Sequence, residues 1–133
     1  MVEQKEEALS RLEKLYQNSD TGMTRERYLD LCEQMGNDPI PEEIPPSWED
    51  FPEIVVDAVA TFNSMGDRIQ AEVGYIGKDY TNLNHYLEVY GVEDKEFFLQ
   101  LLNWLDARAI KKSSEEMKRQ LEKMKRQSSG KRS

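Results

Sequence analysis

Apolar residues recur at spacings of three and four along most of the chain, which is the pattern of helices that bury one face. No segment keeps an apolar/polar alternation over four to eight residues, so the pattern predicts an all-α fold, a compact bundle of about five helices. Gly74 and Gly77 bracket only two residues, and this short stretch is predicted to be a loop. The predicted helices cover residues 3–17, 25–35, 53–65 or somewhat beyond, about 82–90 and about 94–127.

Capping residues support several of these boundaries. Thr24 is a predicted N-cap of the second helix, and Gly36 supplies its C-terminal stop. Asp50 precedes a proline and an acidic residue, which predicts the start of the third helix, and Asp94 opens the last. Gly66 either ends the third helix or only weakens it, since Ile69 and Val73 keep the helical phase. The second helix is expected to bury Tyr28, Leu31, Cys32 and Met35, with Cys32 as a small core residue.

Residues 37–50 are predicted to be irregular, because they contain four prolines that fix φ and remove backbone donors. We call this extended acidic segment the strap and expect it to lie across the helical body. Trp48 offers the largest apolar area in the strap, so Trp48 or Phe51 is expected to pack on the helices.

Charge divides the chain unevenly. The net charge of −8 combines residues 1–107, with 8 Lys/Arg against 23 Asp/Glu, and residues 108–133, with 10 Lys/Arg against 3 Asp/Glu. We therefore predict an acidic helical domain, residues 1–110, and a long basic helical extension, residues 111–133, that projects from it. The extension is expected to be frayed or disordered from Ser128 onward. A solvated helix without any partner is the alternative interpretation of this charge run.

The extension carries a short heptad pattern. Ile110, Met117 and Met124 lie seven residues apart, as do Ser114 and Leu121, and this makes residues 110–124 a candidate homo-oligomer contact. The pattern spans barely two heptads, fewer than the three to four expected of a coiled coil. Its lysines and arginines could contact nucleic-acid phosphates, but the absence of aromatic residues argues against base stacking. The candidate binding residues are Trp48, Lys111, Lys112, Met117, Lys118, Arg119, Leu121, Lys123, Met124, Lys125 and Arg126.

Catalytic and metal-binding patterns are missing. The chain has one cysteine, which excludes an internal disulfide framework and a zinc site built from cysteines. His85 is its only histidine, and no serine lies in the elbow motif that a nucleophilic triad with a histidine base would use. Residues 74–78 lack the spacing of a phosphate-binding loop, and the acidic residues of the strap lack that of an EF-hand. We expect no enzyme activity, no cofactor and no metal. The absence of a secretory signal or an apolar span predicts a cytoplasmic protein without membrane contact.

Five motifs stand out between Tyr28 and Lys112: Pro45-Pro46-x-Trp48-Glu-Asp-Phe-Pro52, Ala60-Thr-Phe62-Asn, Gly66-Asp-Arg68, Gly74-Tyr-Ile-Gly-Lys-Asp-Tyr-Thr-Asn-Leu83 and Leu102-x-Trp104-Leu-Asp-Ala-Arg108. These motifs resemble small helical proteins of tailed bacteriophages, notably contractile-tailed phages of cyanobacteria and proteins encoded near tail-assembly genes. The resemblance implies a non-enzymatic phage protein in the cytoplasm of the bacterial host or in the virion, with no catalytic residues to transfer.

Two function classes follow from these observations. The first is protein–protein interaction, as a virion or tail assembly factor or a small structural component. The second is a regulator that binds nucleic acid or the host transcription machinery through the basic C-terminal helix, or that mimics DNA with its acidic body.

Overall fold

The computed structural model describes residues 2–130, and the chain is mostly helical, with 70% helix and 7% strand. The predicted helical class, the five α-helices and the long C-terminal helix are confirmed. The described elements are α1 (Val2–Thr21), α2 (Arg25–Met35), short 3₁₀ turns at Pro41–Glu43 and Trp48–Asp50, α3 (Glu53–Ser64), β1 (Asp67–Gln70), β2 (Gly74–Lys78), α4 (Leu83–Val89) and α5 (Lys95–Gly130).

The chain divides into two compact units, the first ending at Val56 and the second beginning at Asp57. The buried apolar residues of the first unit are Ala8, Leu12, Phe51 and Val55. Those of the second unit are Ala58, Val59, Met65, Phe97, Phe98, Leu101, Leu102 and Leu105.

Helix α2 has the predicted boundaries. The Thr24 hydroxyl accepts a hydrogen bond from the Arg27 N–H at 3.2 Å, and Gly36 ends the helix with a φ of 70°. The predicted buried face is wrong, however, because no residue of α2 is buried and Met35 is 71% exposed. The strap meets this face mainly at Tyr28, whose hydroxyl accepts from the Ile40 N–H at 3.2 Å. Periodicity identifies which residues share a face, but not how much of that face is covered.

The strap is irregular apart from the two 3₁₀ turns. Asp50 closes the second turn, because its carboxylate accepts from the Ser47 N–H at 3.0 Å. The prediction that Asp50 caps α3 is therefore wrong. Helix α3 begins one turn later, where the carbonyl oxygen of Pro52 accepts from the Val55 N–H at 3.0 Å.

An antiparallel hairpin, β1–β2, follows α3. The predicted loop at residues 74–77 is wrong, because these residues belong to β2. Of the two alternatives at Gly66, the structure has the helix end, since α3 stops at Ser64 and β1 begins at Asp67. Ile69 is 73% and Val73 is 54% exposed, so these apolar residues repeat the helical spacing without facing the core. The ladder pairs Asp67 with Lys78, and its register shifts between residues 68 and 69.

Helix α5 begins where Asp94 predicts, because the carboxylate of Asp94 accepts from the Phe97 N–H at 3.1 Å. The helix has 36 residues, which corresponds to about 54 Å at about 1.5 Å per residue. Residues 128–130 belong to α5. The expectation that the chain is frayed or disordered from Ser128 onward stays a prediction. Residues 131–133 lie outside the described residues. The predicted domain boundary between residues 110 and 111 falls inside α5. That residues 1–110 form a domain which folds on its own stays a prediction.

The hairpin and α5 approach each other closely at Gly77. This residue has a φ of 132°, and a Cβ atom on it would lie 3.2 Å from Asp106 Oδ2. We expect Gly77→Ala to destabilise the protein by about 1–3 kcal/mol, because the added methyl group meets both backbone strain and a fixed carboxylate.

Gly66→Ala is the matched control, since a Cβ atom there would meet nothing within 4 Å. We expect it to leave the free energy of unfolding in urea nearly unchanged. Equal losses for the two variants would contradict the close approach at Gly77.

Candidate interaction site

The carboxylate of Asp106 joins the hairpin to α5. Asp106 is 9% exposed and accepts three hydrogen bonds. The Tyr75 hydroxyl donates to Oδ1 at 2.5 Å, and the Tyr80 hydroxyl donates to Oδ2 at 2.9 Å. The backbone N–H of Lys78 donates to Oδ2 at 3.2 Å. The hydrogen-bonding capacity of this carboxylate is used within the fold, so the arrangement holds two elements together.

Lys78 supports the same region through a second set of contacts. Its ammonium group lies 2.6 Å from Asp67 Oδ1, donates to the carbonyl oxygen of Met65 at 3.2 Å and lies 4.7 Å from the ring centre of Phe62. A lysine side chain this buried requires such partners, because an unpaired buried charge is costly. These contacts connect α3, β1 and β2.

Burial and the neighbouring carboxylate also change the acidity of the two tyrosines. Burial, followed by the hydrogen bond to Asp106, raises the pKa of Tyr80 to about 12 and the pKa of Tyr75 further still. Both phenols are therefore held in their protonated form, in which they donate hydrogen bonds. In the described part of the chain, no group of three or more His, Cys, Asp or Glu side chains is placed to hold a metal ion.

The face of α5 that contacts the hairpin continues beyond it. A Cβ atom on Gly74 would lie 2.7 Å from Met117 Sδ and 3.4 Å from Ser113 Oγ, so these two side chains lie against β2. Leu121 and Met124 follow Met117 at spacings of four and seven, which places them on the same face. They are 56% and 64% exposed. We call Met117, Leu121 and Met124 the apolar stripe.

The basic residues among the candidate binding residues all lie on α5, and all are exposed. Three of them, seven residues apart, form a row along one edge of the apolar stripe: Lys111, Lys118 and Lys125. The others lie farther around the helix: Lys112, Arg119, Lys123 and Arg126. Arg119 lies 3.6 Å from Glu116, an exposed pair that contributes little to stability.

Trp48 belongs to the first unit. Its ring centre lies 6.2 Å from that of Tyr16 in α1 and 5.6 Å from that of Phe51, yet the residue is 41% exposed. Trp48 borders an open groove of about 320 Å³, together with Leu15, Asn18, Met23, Arg25 and Pro45. The guanidinium group of Arg25 is occupied, because it donates to Pro45, Ser47 and Asp50 at 2.8–3.3 Å.

The structure thus brings ten of the eleven candidate binding residues together on α5 and places Trp48 in the other unit. The sequence interpretation missed the contacts of Asp106. In the sequence, the hairpin side of these contacts is marked by the two glycines around Tyr75 and Ile76 and by Lys78 and Tyr80, which follow them. Asp106 itself is a single acidic residue on an amphipathic helix, and such a residue does not indicate its partners.

Comparisons with protein families, curated proteins and solved structures gave no match. No helix in the described part of the chain is long and apolar enough to cross a membrane.

Trp48 and Phe51 are expected to differ in their contribution to stability. Phe51 is 8% exposed, so Phe51→Ala should cost about 3 kcal/mol or more. Trp48→Ala should cost about half as much, because a large part of the indole remains in solvent. Urea unfolding followed by circular dichroism measures both changes. If Trp48→Ala lowered the free energy of unfolding more than Phe51→Ala did, Trp48 would be the main packing residue instead of Phe51.

Alkaline pH should weaken the fold through Tyr75 and Tyr80. Tyrosines in the unfolded chain titrate near pH 10, whereas the folded chain keeps these two protons at higher pH. Their contribution to the free energy of unfolding is therefore complete below about pH 10 and is lost as the pH rises from about 10 through about 12.

Urea unfolding at pH 8 and pH 10.5 tests this dependence. Tyr80→Phe should unfold more readily at pH 8, by about 1 kcal/mol for the lost hydrogen bond, and should show a smaller additional loss at pH 10.5. Tyr90→Phe changes a tyrosine outside the Asp106 contacts and serves as the control. If Tyr80→Phe lost as much free energy of unfolding between pH 8 and pH 10.5 as the unsubstituted protein, the assignment of part of this loss to Tyr80 would be contradicted.

Proposed function

We propose that the protein acts without catalysis, by binding another protein through the second half of α5. The observation that carries this proposal is the apolar stripe, which leaves the hairpin at Met117 and continues in solvent through Leu121 and Met124. All described side chains between residues 118 and 128 are exposed, so this part of α5 leaves its apolar stripe accessible. A helix face of this kind is typical of helix-mediated docking.

The proposed setting is the assembly of a tailed-phage particle in the cytoplasm of a bacterial host. This part of the proposal depends on the motif resemblance. An assembly factor or a small structural component needs a stable body and an accessible docking element. The second unit, with α5 extending from its buried core, has both properties.

Nucleic-acid binding is the second candidate function. It is favoured by the exposed basic residues away from the apolar stripe, including Lys123 and Arg126. Phosphate contacts of this kind weaken steeply as salt concentration rises. The same candidate class includes contact with the transcription machinery and DNA mimicry by the acidic residues 1–107.

A photo-crosslinking experiment tests the proposed function. A photoreactive amino acid replaces Leu121, Met124 or, as a control, Arg119 on the opposite side of α5, in cells that naturally produce the protein. We expect the same partner protein to be crosslinked from positions 121 and 124 and not from 119. Leu121→Asp combined with Met124→Asp should abolish its co-purification with the full-length chain.

A duplex-DNA titration at two salt concentrations tests the second candidate. DNA binding that is steeply salt-dependent and is lost in Lys123→Glu/Arg126→Glu would support nucleic-acid binding. If the crosslinks were also absent from positions 121 and 124, the proposed protein-binding function would be wrong.

A further inference from the structure

We infer that the partner presents an acidic amphipathic helix, which packs along the apolar stripe and against the tip of the β1–β2 hairpin. This inference rests on the proposed function and adds the chemistry of the partner. It is carried by the exposed apolar stripe, which begins where Gly74 lies against Met117, and by the charges at its edge.

The tip of the hairpin borders the apolar stripe. Gly74 lies against Met117, and its chain neighbour Val73 is 54% exposed. The turn is closed by a hydrogen bond from the Val73 N–H to the carbonyl oxygen of Gln70 at 3.2 Å, which fixes the position of the tip. The end of β2 at Gly74 therefore lies at the Met117 end of the apolar stripe, from which Leu121 and Met124 continue in solvent.

The length of this surface fits a short helix. Residues 117–127 of α5 span eleven residues, or about three helical turns. A partner helix that lies along these turns buries the side chains of Leu121 and Met124, and its end lies next to Gly74. The methionines of the stripe are unbranched and flexible, so they adapt to the partner side chains.

The charges at the edges of the stripe select an acidic partner. Lys118 and Lys125 flank one edge directly, with Glu115 and Glu122 farther from the stripe on the same side, and Gln120 and Gln127 flank the other edge. Among the ion pairs of residues 2–130, none involves Lys118 or Lys125, and both side chains are exposed. Carboxylates on a partner helix, placed at the corresponding flanking positions, therefore complement this edge.

A second copy of this chain fits less well. Residues 108–133 carry a net charge of +7, so two such segments repel each other. An antiparallel pair would place the lysine rows opposite one another, and a parallel pair would place them opposite glutamines. Neither arrangement places acidic side chains opposite Lys118 and Lys125.

The probe is a 21-residue peptide of three heptads, with Leu at positions a and d and Glu at positions e and g. Its acidic flanks keep it from pairing with itself. A control peptide carries Lys in place of Glu. Because the apolar surface is small, the complex should be weak and exchange rapidly, so we choose NMR titration of the full ¹⁵N-labelled chain.

We expect the acidic peptide to shift the amide signals of residues 73–74 and 117–127 and the lysine peptide to leave them nearly unchanged. Lys118→Glu/Lys125→Glu should weaken binding of the acidic peptide by about tenfold and should gain binding of the lysine peptide. Lys123→Glu/Arg126→Glu makes the same change in net charge away from this edge and should alter the affinity less than about twofold.

Three results would overturn the inference. The first is the absence of amide shifts at millimolar concentrations of the acidic peptide. The second is equal affinity for the two peptides. The third is a concentration-dependent dimer in sedimentation that Leu121→Asp abolishes, which would identify a second copy as the occupant. If positions 121 and 124 still crosslinked a partner, the proposed function would stand and only the partner chemistry would be wrong.

Discussion

The second unit depends on the carboxylate of Asp106. A buried carboxylate is stable only when hydrogen-bond donors replace the water it has lost, and here the donors are Tyr75, Tyr80 and the backbone of Lys78. All three belong to β2 or to the residues just after it, so the carboxylate fixes the hairpin at one position along α5. The absence of a side chain at Gly77 allows this approach. The short hairpin, which would be marginal alone, is thereby stabilised.

The position of the hairpin determines which part of α5 is covered. The hairpin reaches Gly74 at its far end, and Gly74 lies against Met117. The next residues on this face, Leu121 and Met124, lie beyond its reach and are exposed. The same contacts that complete the core of the second unit therefore also set the point at which the candidate docking surface begins.

The sequence predicted those features that depend on neighbouring residues. Thr24, Gly36 and Asp94 act as expected because a helix cap needs only local geometry. The hairpin could not be predicted in the same way, because its strands are short and Ile69 and Val73 imitate a helical period. Its stability comes from Asp106, about thirty residues away. The exposed Met35 shows the same limit, since spacing alone cannot measure how much of a helix face is covered.

The candidate binding residues were predictable as a class, and the structure adds their arrangement. Charge segregation identified the basic residues of α5, but only the contact at Gly74 separates Met117, which is partly covered, from Leu121 and Met124. These two side chains bury little apolar surface in the described chain and so contribute little to its folding. Their burial would bring a gain in free energy only in a complex. The solvated-helix interpretation accounts for the lysines but not for the alignment of Leu121 and Met124 with the face that packs on the hairpin.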